Sequence, residues 1–202
     1  MVCLSGLVLA SCSPRRSELL HRLGLSFRTD APDVDEECSL PAPEAVSLLS
    51  RRKASACAAR NPGCTILAAD TLVALEDKIL GKPADADDAV RMLHLLSGRS
   101  HQVYTGVTVI SPDGQILTGY DRTDVTFDTI SDEEILSYVR SGDPLDKAGA
   151  YGLQGRAGMW ITHISGSESS VIGLPLYLVR SLLTRSGFPL VREIDLNQTI
   201  KG

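Results

Sequence analysis

The sequence predicts an α/β domain on a mixed β-sheet. Three observations carry that reading: an apolar strand running straight into a capped helix near the start, a central apolar run interrupted by one carboxylate, and two long strand-like segments joined by Ser111, Pro112, Asp113 and Gly114. Strand–helix order argues for parallel pairing, and a hairpin adds antiparallel pairing, so the sheet is expected to be mixed.

Gly6 to Ala10 is a short apolar run of the buried-strand type. The helix after it has Ser13 as N-cap, Pro14 at the first helical position, an apolar stripe of Leu19, Leu20 and Leu23, and Gly24 past its end. Asp30 to Pro43 lacks periodicity and reads as an acidic, proline-containing loop before a helix from about Glu44 to Arg60, which Asn61, Pro62 and Gly63 terminate. Thr65 to Leu75 suits a central strand and ends in a turn at Glu76, Asp77 and Lys78. A helix over Asp85 to Leu96 follows, then a hairpin of Gln102 to Ile110 and Gln115 to Phe127. Ser131 to Arg140 opens with a capping-box pattern. Gly142 to Gly158 is a glycine-rich polar loop, Met159 to Ile164 a strand, Gly166 to Glu168 a hairpin turn, and Pro175 to Ser186 the closing helix.

The chain of 202 residues is read as one domain, residues 1–202, with 43% hydrophobic and 22% charged residues, the balance of an ordinary globular protein. Its net charge of −5 argues against a nucleic acid polymer as partner, while a local basic pocket suits a small phosphorylated ligand. No stretch approaches the ~20 apolar residues of a membrane span, so no membrane partner is expected. Leu9, Ala10, Ser11 and Cys12 mimic a lipoprotein cleavage box, but no basic residue precedes the apolar run. Five cysteines without a CxxC pair or zinc-like spacing read as reduced thiols, which points to the cytoplasm.

Arg15 and Arg16 lie in the first helical turn, against the positive end of the helix dipole. That placement costs roughly 0.3–1 kcal/mol per charge and favours an anion shared by the free backbone N–H groups and both guanidiniums; the alternative is two solvated arginines. Asp70 interrupts an apolar strand, where an unpartnered carboxylate is expensive. It is either a general base or metal ligand facing a cleft, or a structural carboxylate accepting backbone or Thr71 hydroxyl hydrogen bonds. Asp33, Asp35, Glu36 and Glu37 offer the hard oxygens that Mg²⁺ or Mn²⁺ prefers, or form a solvated acidic loop. Arg51, Arg52 and Lys53 cannot all face one way on a helix, so one is expected to point inward. Lys82 is held between Gly81 and Pro83, where it could meet a phosphate. Gln154, in a loop with Lys147 and several glycines, carries a donor and an acceptor matched to a uracil or thymine edge, or caps backbone groups of its own loop. His21, His94, His101 and His163 have no metal spacing and read as structural, and no serine nucleophile pattern is present.

In series, LASCSPRRSELL, DVDEE, ILAADTLV, ILGKP, SGRSHQVYTGV, DKAGAYGLQG and VIGLPL make the whole chain resemble the Maf nucleoside triphosphate pyrophosphatases. The resemblance implies a bent mixed sheet flanked by helices, two lobes around a central cleft as in inosine triphosphatases, and hydrolysis of a nucleoside triphosphate between its α and β phosphates with a divalent cation. It implies Asp70 as proton acceptor, Glu36, Lys53 and Lys82 as polar cleft residues, Glu36 and Asp70 as metal ligands, and Arg16, beside Ser13, as the phosphate-binding arginine. Arg15, Thr71 and Gln154 match positions that separate subgroups. SPRR, DT and YGLQG resemble the dTTP/UTP subgroup, modified pyrimidine nucleotides included. A purine or 7-methyl-GTP enzyme, and a non-catalytic nucleotide-binding regulator of septum formation linked to division arrest, are the alternatives. A homodimer is compatible with the resemblance. Two departures stand out: Cys12 where a small residue is common, and Arg52 where many relatives have glutamate.

Overall fold

The computed structural model describes residues 6–191. Cys3 and the C-terminal eleven residues lie outside that range. A seven-stranded sheet has the order β2-β1-β3-β5-β6-β7, with β4 pairing off β3. Its pairings are mixed: β1 (Leu7–Leu9) runs parallel to β2 (Phe27–Thr29) and to β3 (Thr65–Leu75), whereas β4 (Lys78–Leu80) is antiparallel to β3, and β7 (Ile161–Ser165) is antiparallel to β6 (Ile116–Phe127). The mixed α/β class expected from the sequence is what the chain forms.

The chain divides into two compact units, each assembled from separated stretches. The first takes the chain up to Asp70, then Thr105–Asp121 and the residues from Gly173; the second takes Thr71–Tyr104 and Arg122–Ile172. Three strands, β3, β5 (Ser100–Ile110) and β6, lend residues to both.

In the first unit, β1 hands the chain to α1 (Pro14–Arg22), and Leu19 and Leu20 bury the apolar stripe read from the sequence. α2 (Ala42–Arg60) covers the strands with Ala54 and Cys57, which pack with Val8, Ile66 and Ala68. It ends at Asn61, whose side-chain amide donates to the Cys57 carbonyl at 2.8 Å and satisfies one of the open carbonyls of the last turn. The approach of α2 to β5 depends on Gly106: a Cβ there would fall 2.2 Å from the Val46 carbonyl oxygen. No side chain fits, so this glycine sets how closely the helix lies on the strand. α6 (Leu176–Arg185) completes this unit.

In the second unit, α3 (Ala86–Leu96) is capped by Asp85, which accepts from the Asp88 amide at 2.8 Å, and α4 (Asp132–Arg140) by the capping box of Ser131 and Glu134. Tyr138, Phe127, Trp160 and Tyr151 form the aromatic centre of its core. The glycine-rich stretch after α4 is ordered by 3₁₀ turns at Asp143–Asp146, Ala148–Ala150 and Arg156–Trp160.

Three short elements depart from the expected order. β2 lies between the end of α1 and the acidic loop, in a segment left unassigned from the sequence, the Glu76–Lys78 turn is a hairpin whose return strand is β4, and Gly166 to Glu168 leads into a short helix, α5 (Glu168–Ile172), instead of a hairpin. Each spans three to five residues, too few to show a period, and the two strands exist because an edge was free to pair.

Candidate active site

The first unit brings four of the sequence-predicted residues into one charged cluster. Of the three crowded basic residues on α2, Lys53 is the one that turns inward, with its side chain 14% exposed. Its ammonium lies 2.5 Å from Asp70 Oδ1 and 2.7 Å from Glu36 Oε1. Asp70 is buried in β3, with an ion-pair partner to offset its desolvation. Glu36 reaches in from the acidic loop and stays half exposed.

Arg16 joins the same field. Its Nε donates to the Gly173 carbonyl at 2.8 Å and its Nη1 to Ser11 Oγ at 3.3 Å. Desolvation lowers its pKa, Asp70 and Glu36 pull it back up, and Arg15 pushes it further down. Two like charges held together beside a helix N-terminus are a standing demand for an anion. Ser13 occupies the N-cap position, but its side chain makes no capping hydrogen bond; its amide donates instead to Ser11 Oγ at 3.1 Å. Ser11 therefore organises both the turn and the guanidinium, a role that no motif reading of Ser13 anticipated.

The loop bearing Glu36 is fastened along α2. At its start Asp30 accepts from the Asn61 amide at 2.6 Å and from Arg60, and the Asn61 bond holds its carboxyl below the usual range. In its middle Arg52 Nη1 donates to the carbonyls of Asp35 and Glu37, both at 3.0 Å, bracketing Glu36. Sequence reasoning noted Arg52 as one of three crowded basic residues and as a departure from its relatives, not as a fastening for the loop. Its contacts are with backbone carbonyls, which have no signature in the residue types.

The remaining candidates are in the second unit or at its border. Thr71, next to Asp70 on β3, is half-buried. Lys82, just after β4, is exposed, and so is Gln154. Lys147 is spent internally, on the carboxylates of Asp143 and Asp146 at 2.9 and 2.7 Å. Gln154 makes no hydrogen bond to other described residues, so its amide is not consumed in capping its own loop.

The sequence match is extensive. The Maf-like protein family covers residues 6–186. This chain belongs to that family. Among its Maf relatives, a protein of Symbiobacterium thermophilum named dTTP/UTP pyrophosphatase is 48% identical over 91% of this chain and 95% of its own length. One from Myxococcus xanthus with the same name is 49% identical over 91% and 94%. Among solved structures, a dITP/XTP pyrophosphatase from Mycobacterium abscessus is 16% identical, covers 62% of this chain and 75% of its own, and superposes with a TM-score of 0.41, too slight a likeness to bear on the chemistry.

The donor set for a divalent cation is small. Among the described residues no group of three or more His, Cys, Asp or Glu side chains is arranged to hold a metal. Glu36 and Asp70 nevertheless converge on one cation already, the Lys53 ammonium. That fits a magnesium-type ion, which takes one or two protein carboxylates and fills its shell with phosphate oxygens and water.

Proposed function

We propose that this Maf protein is a nucleoside triphosphate pyrophosphatase acting on dTTP and UTP, releasing the monophosphate and pyrophosphate. The observation that carries the reading is the Lys53 bridge between a buried Asp70 and the loop carboxylate of Glu36, with Arg16 in the same field. The names of relatives at 48–49% identity over nine-tenths of the chain support the substrate class.

In this reading Asp70 is the general base. Its Oδ1 is engaged by Lys53, which leaves Oδ2 to take a proton from water as the water oxygen bonds to the α-phosphorus. The bond from that phosphorus to the bridging oxygen breaks, and its electron pair leaves on pyrophosphate. Arg16, Arg15, Lys53 and Lys82 stabilise the charge on the phosphates, with Arg16 already oriented before substrate arrives by Ser11 and Gly173. Glu36 and Asp70 would hold a divalent cation, Mg²⁺ or Mn²⁺, which neutralises phosphate charge when bound. Arg15, Thr71 and Gln154 select the base. Among the described residues no disulfide joins Cys12, Cys38, Cys57 or Cys64, and a reducing, cytoplasmic setting is part of this reading.

The test is pyrophosphate release from a panel of pyrimidine, purine and 7-methylated triphosphates with Mg²⁺, Mn²⁺ and Co²⁺, using wild type and Asp70→Asn. Preference for dTTP and UTP with a rate collapse in the variant is expected. Equal turnover in Asp70→Asn, or binding of dTTP without hydrolysis under any metal, overturns the mechanism.

A further inference from the structure

Gln154 sits on a loop whose backbone is held by a buried pair that no functional reading has used. His101, on β5, is fully buried, and its Nε2 lies 2.7 Å from the hydroxyl of Tyr151, three residues before Gln154. The imidazole meets the rings of Tyr151 and Phe127 edge-on, at 5.3 and 5.0 Å between centroids. Its Nδ1 is buried with no hydrogen-bond partner, so the bond to Tyr151 is what its ring nitrogens have. Keeping an imidazole in such a place is costly for mere filling, since phenylalanine or leucine would pack there without an orphaned polar atom.

The approach to Tyr151 is equally constrained. Gly149 and Ala150 both adopt left-handed backbone, and a Cβ on Gly149 would fall 2.9 Å from the Val73 side chain. The Gly149 amide donates to the Gly81 carbonyl at 3.0 Å, directly before Lys82. After Tyr151, Gly152 lies against the Lys147 stem, where a Cβ would come within 2.7 Å. Every residue from Gly149 to Gly152 is thus fixed, and Gln154 projects exposed from the end of this held segment.

Fixing matters for a glutamine that reads a base. An amide offers a donor and an acceptor, and uracil presents N3–H and O4 where cytosine presents the reverse order. On a loose loop the amide turns over and accepts either base. We infer that His101 is a positioning residue for base selection: through the Tyr151 hydroxyl it holds residues 151–155 so that Gln154 discriminates uracil from cytosine. This rests on the assignment of Gln154 to the pyrimidine edge.

The experiment measures kcat and KM for UTP and CTP in wild type, Tyr151→Phe, His101→Leu, His101→Gln, Gln154→Ala and the Tyr151→Phe/His101→Leu double variant. Tyr151→Phe removes one oxygen and keeps the ring, so it tests the bond even where His101→Leu fails to fold. The UTP/CTP ratio of kcat/KM should fall about tenfold in Tyr151→Phe and in His101→Leu, through KM for UTP, with kcat within about twofold. The double variant should fall no further than either single change, as expected for one shared interaction, and His101→Gln, which can still bond the hydroxyl, should recover most of the ratio. An unchanged ratio in folded Tyr151→Phe, or equal losses of kcat on both nucleotides, overturns the inference. Gln154→Ala separates the two readings. If it alone shifts the ratio, the positioning role is wrong; if Tyr151→Phe shifts it and Gln154→Ala does not, the segment is positioned but Gln154 is not the reader.

Discussion

The Lys53 ammonium stands 2.5 Å from Asp70 Oδ1, tying the middle of α2 to the one carboxylate in the apolar run of β3. Removing either partner has a different outcome. Lys53→Met leaves a buried carboxylate without its ion-pair partner and should cost about 3 kcal/mol of stability, read by urea denaturation, together with most of the activity. Asp70→Asn keeps a polar group of the same shape for Lys53 to bond, so it should cost less stability while turnover falls by about 10²–10⁴ for loss of the proposed general base.

Arg16 and Arg15 should separate in kinetics. Arg16 is braced by Ser11 and Gly173, so Arg16→Ala should depress kcat/KM for every nucleotide by about 10²–10³, the range for losing a preorganised charge donor. Arg15→Ala should change the ranking of nucleotides more than their total rate. Ser11→Ala should give a weaker copy of the Arg16 phenotype, because the guanidinium keeps the Gly173 carbonyl.

Arg52 gives a test confined to the acidic loop. It donates to the carbonyls on both sides of Glu36, and it is partly exposed. Arg52→Gln should alter stability by no more than about 0.5 kcal/mol, as is usual for surface positions. It should nevertheless raise the metal concentration needed for half-maximal rate, since Glu36 loses its fixed approach. Titration of rate against Mg²⁺, alongside a thermal melt, distinguishes the two effects.

His101 also dictates a pH response of the fold. Burial pushes its pKa down from 6.5 to about 4, against the opposing pull of Asp124. The unfolded chain therefore binds a proton in a window where the folded one does not, and stability falls as pH drops from about 6.5 towards 4. At about 1.4 kcal/mol per pKa unit the full loss amounts to about 3 kcal/mol. Melting temperatures across that range should show the slope in wild type and a flatter profile in His101→Gln.

The parts of this structure that were legible beforehand are those with local causes. β3, the capping box of α4, the proline start of α1 and the inward turn of one residue among Arg51, Arg52 and Lys53 follow from periodicity, cap chemistry and crowding within a few residues. What escaped depends on distant partners. β2 and β4 are strands only because β1 and β3 offer edges, and Gly106 becomes indispensable only once α2 lies on it. At the site, Asp70, Glu36, Lys53 and Arg16 were nameable as chemical types. The groups that aim them, the carbonyls of Gly173, Asp35 and Glu37 and the hydroxyl of Ser11, were not, because a backbone carbonyl is the same in every residue.

The hydrogen bond from Arg16 to Gly173 joins positions 157 residues apart. During synthesis α1 leaves the ribosome long before the carbonyl that braces its guanidinium has been made. A nascent chain stopped short of residue 173 has Asp70 and the acidic loop already translated, yet lacks the carbonyl that accepts from Arg16 Nε. The final orientation of Arg16 therefore arrives only once the chain has passed residue 173, after the residues of the charged cluster have all been made.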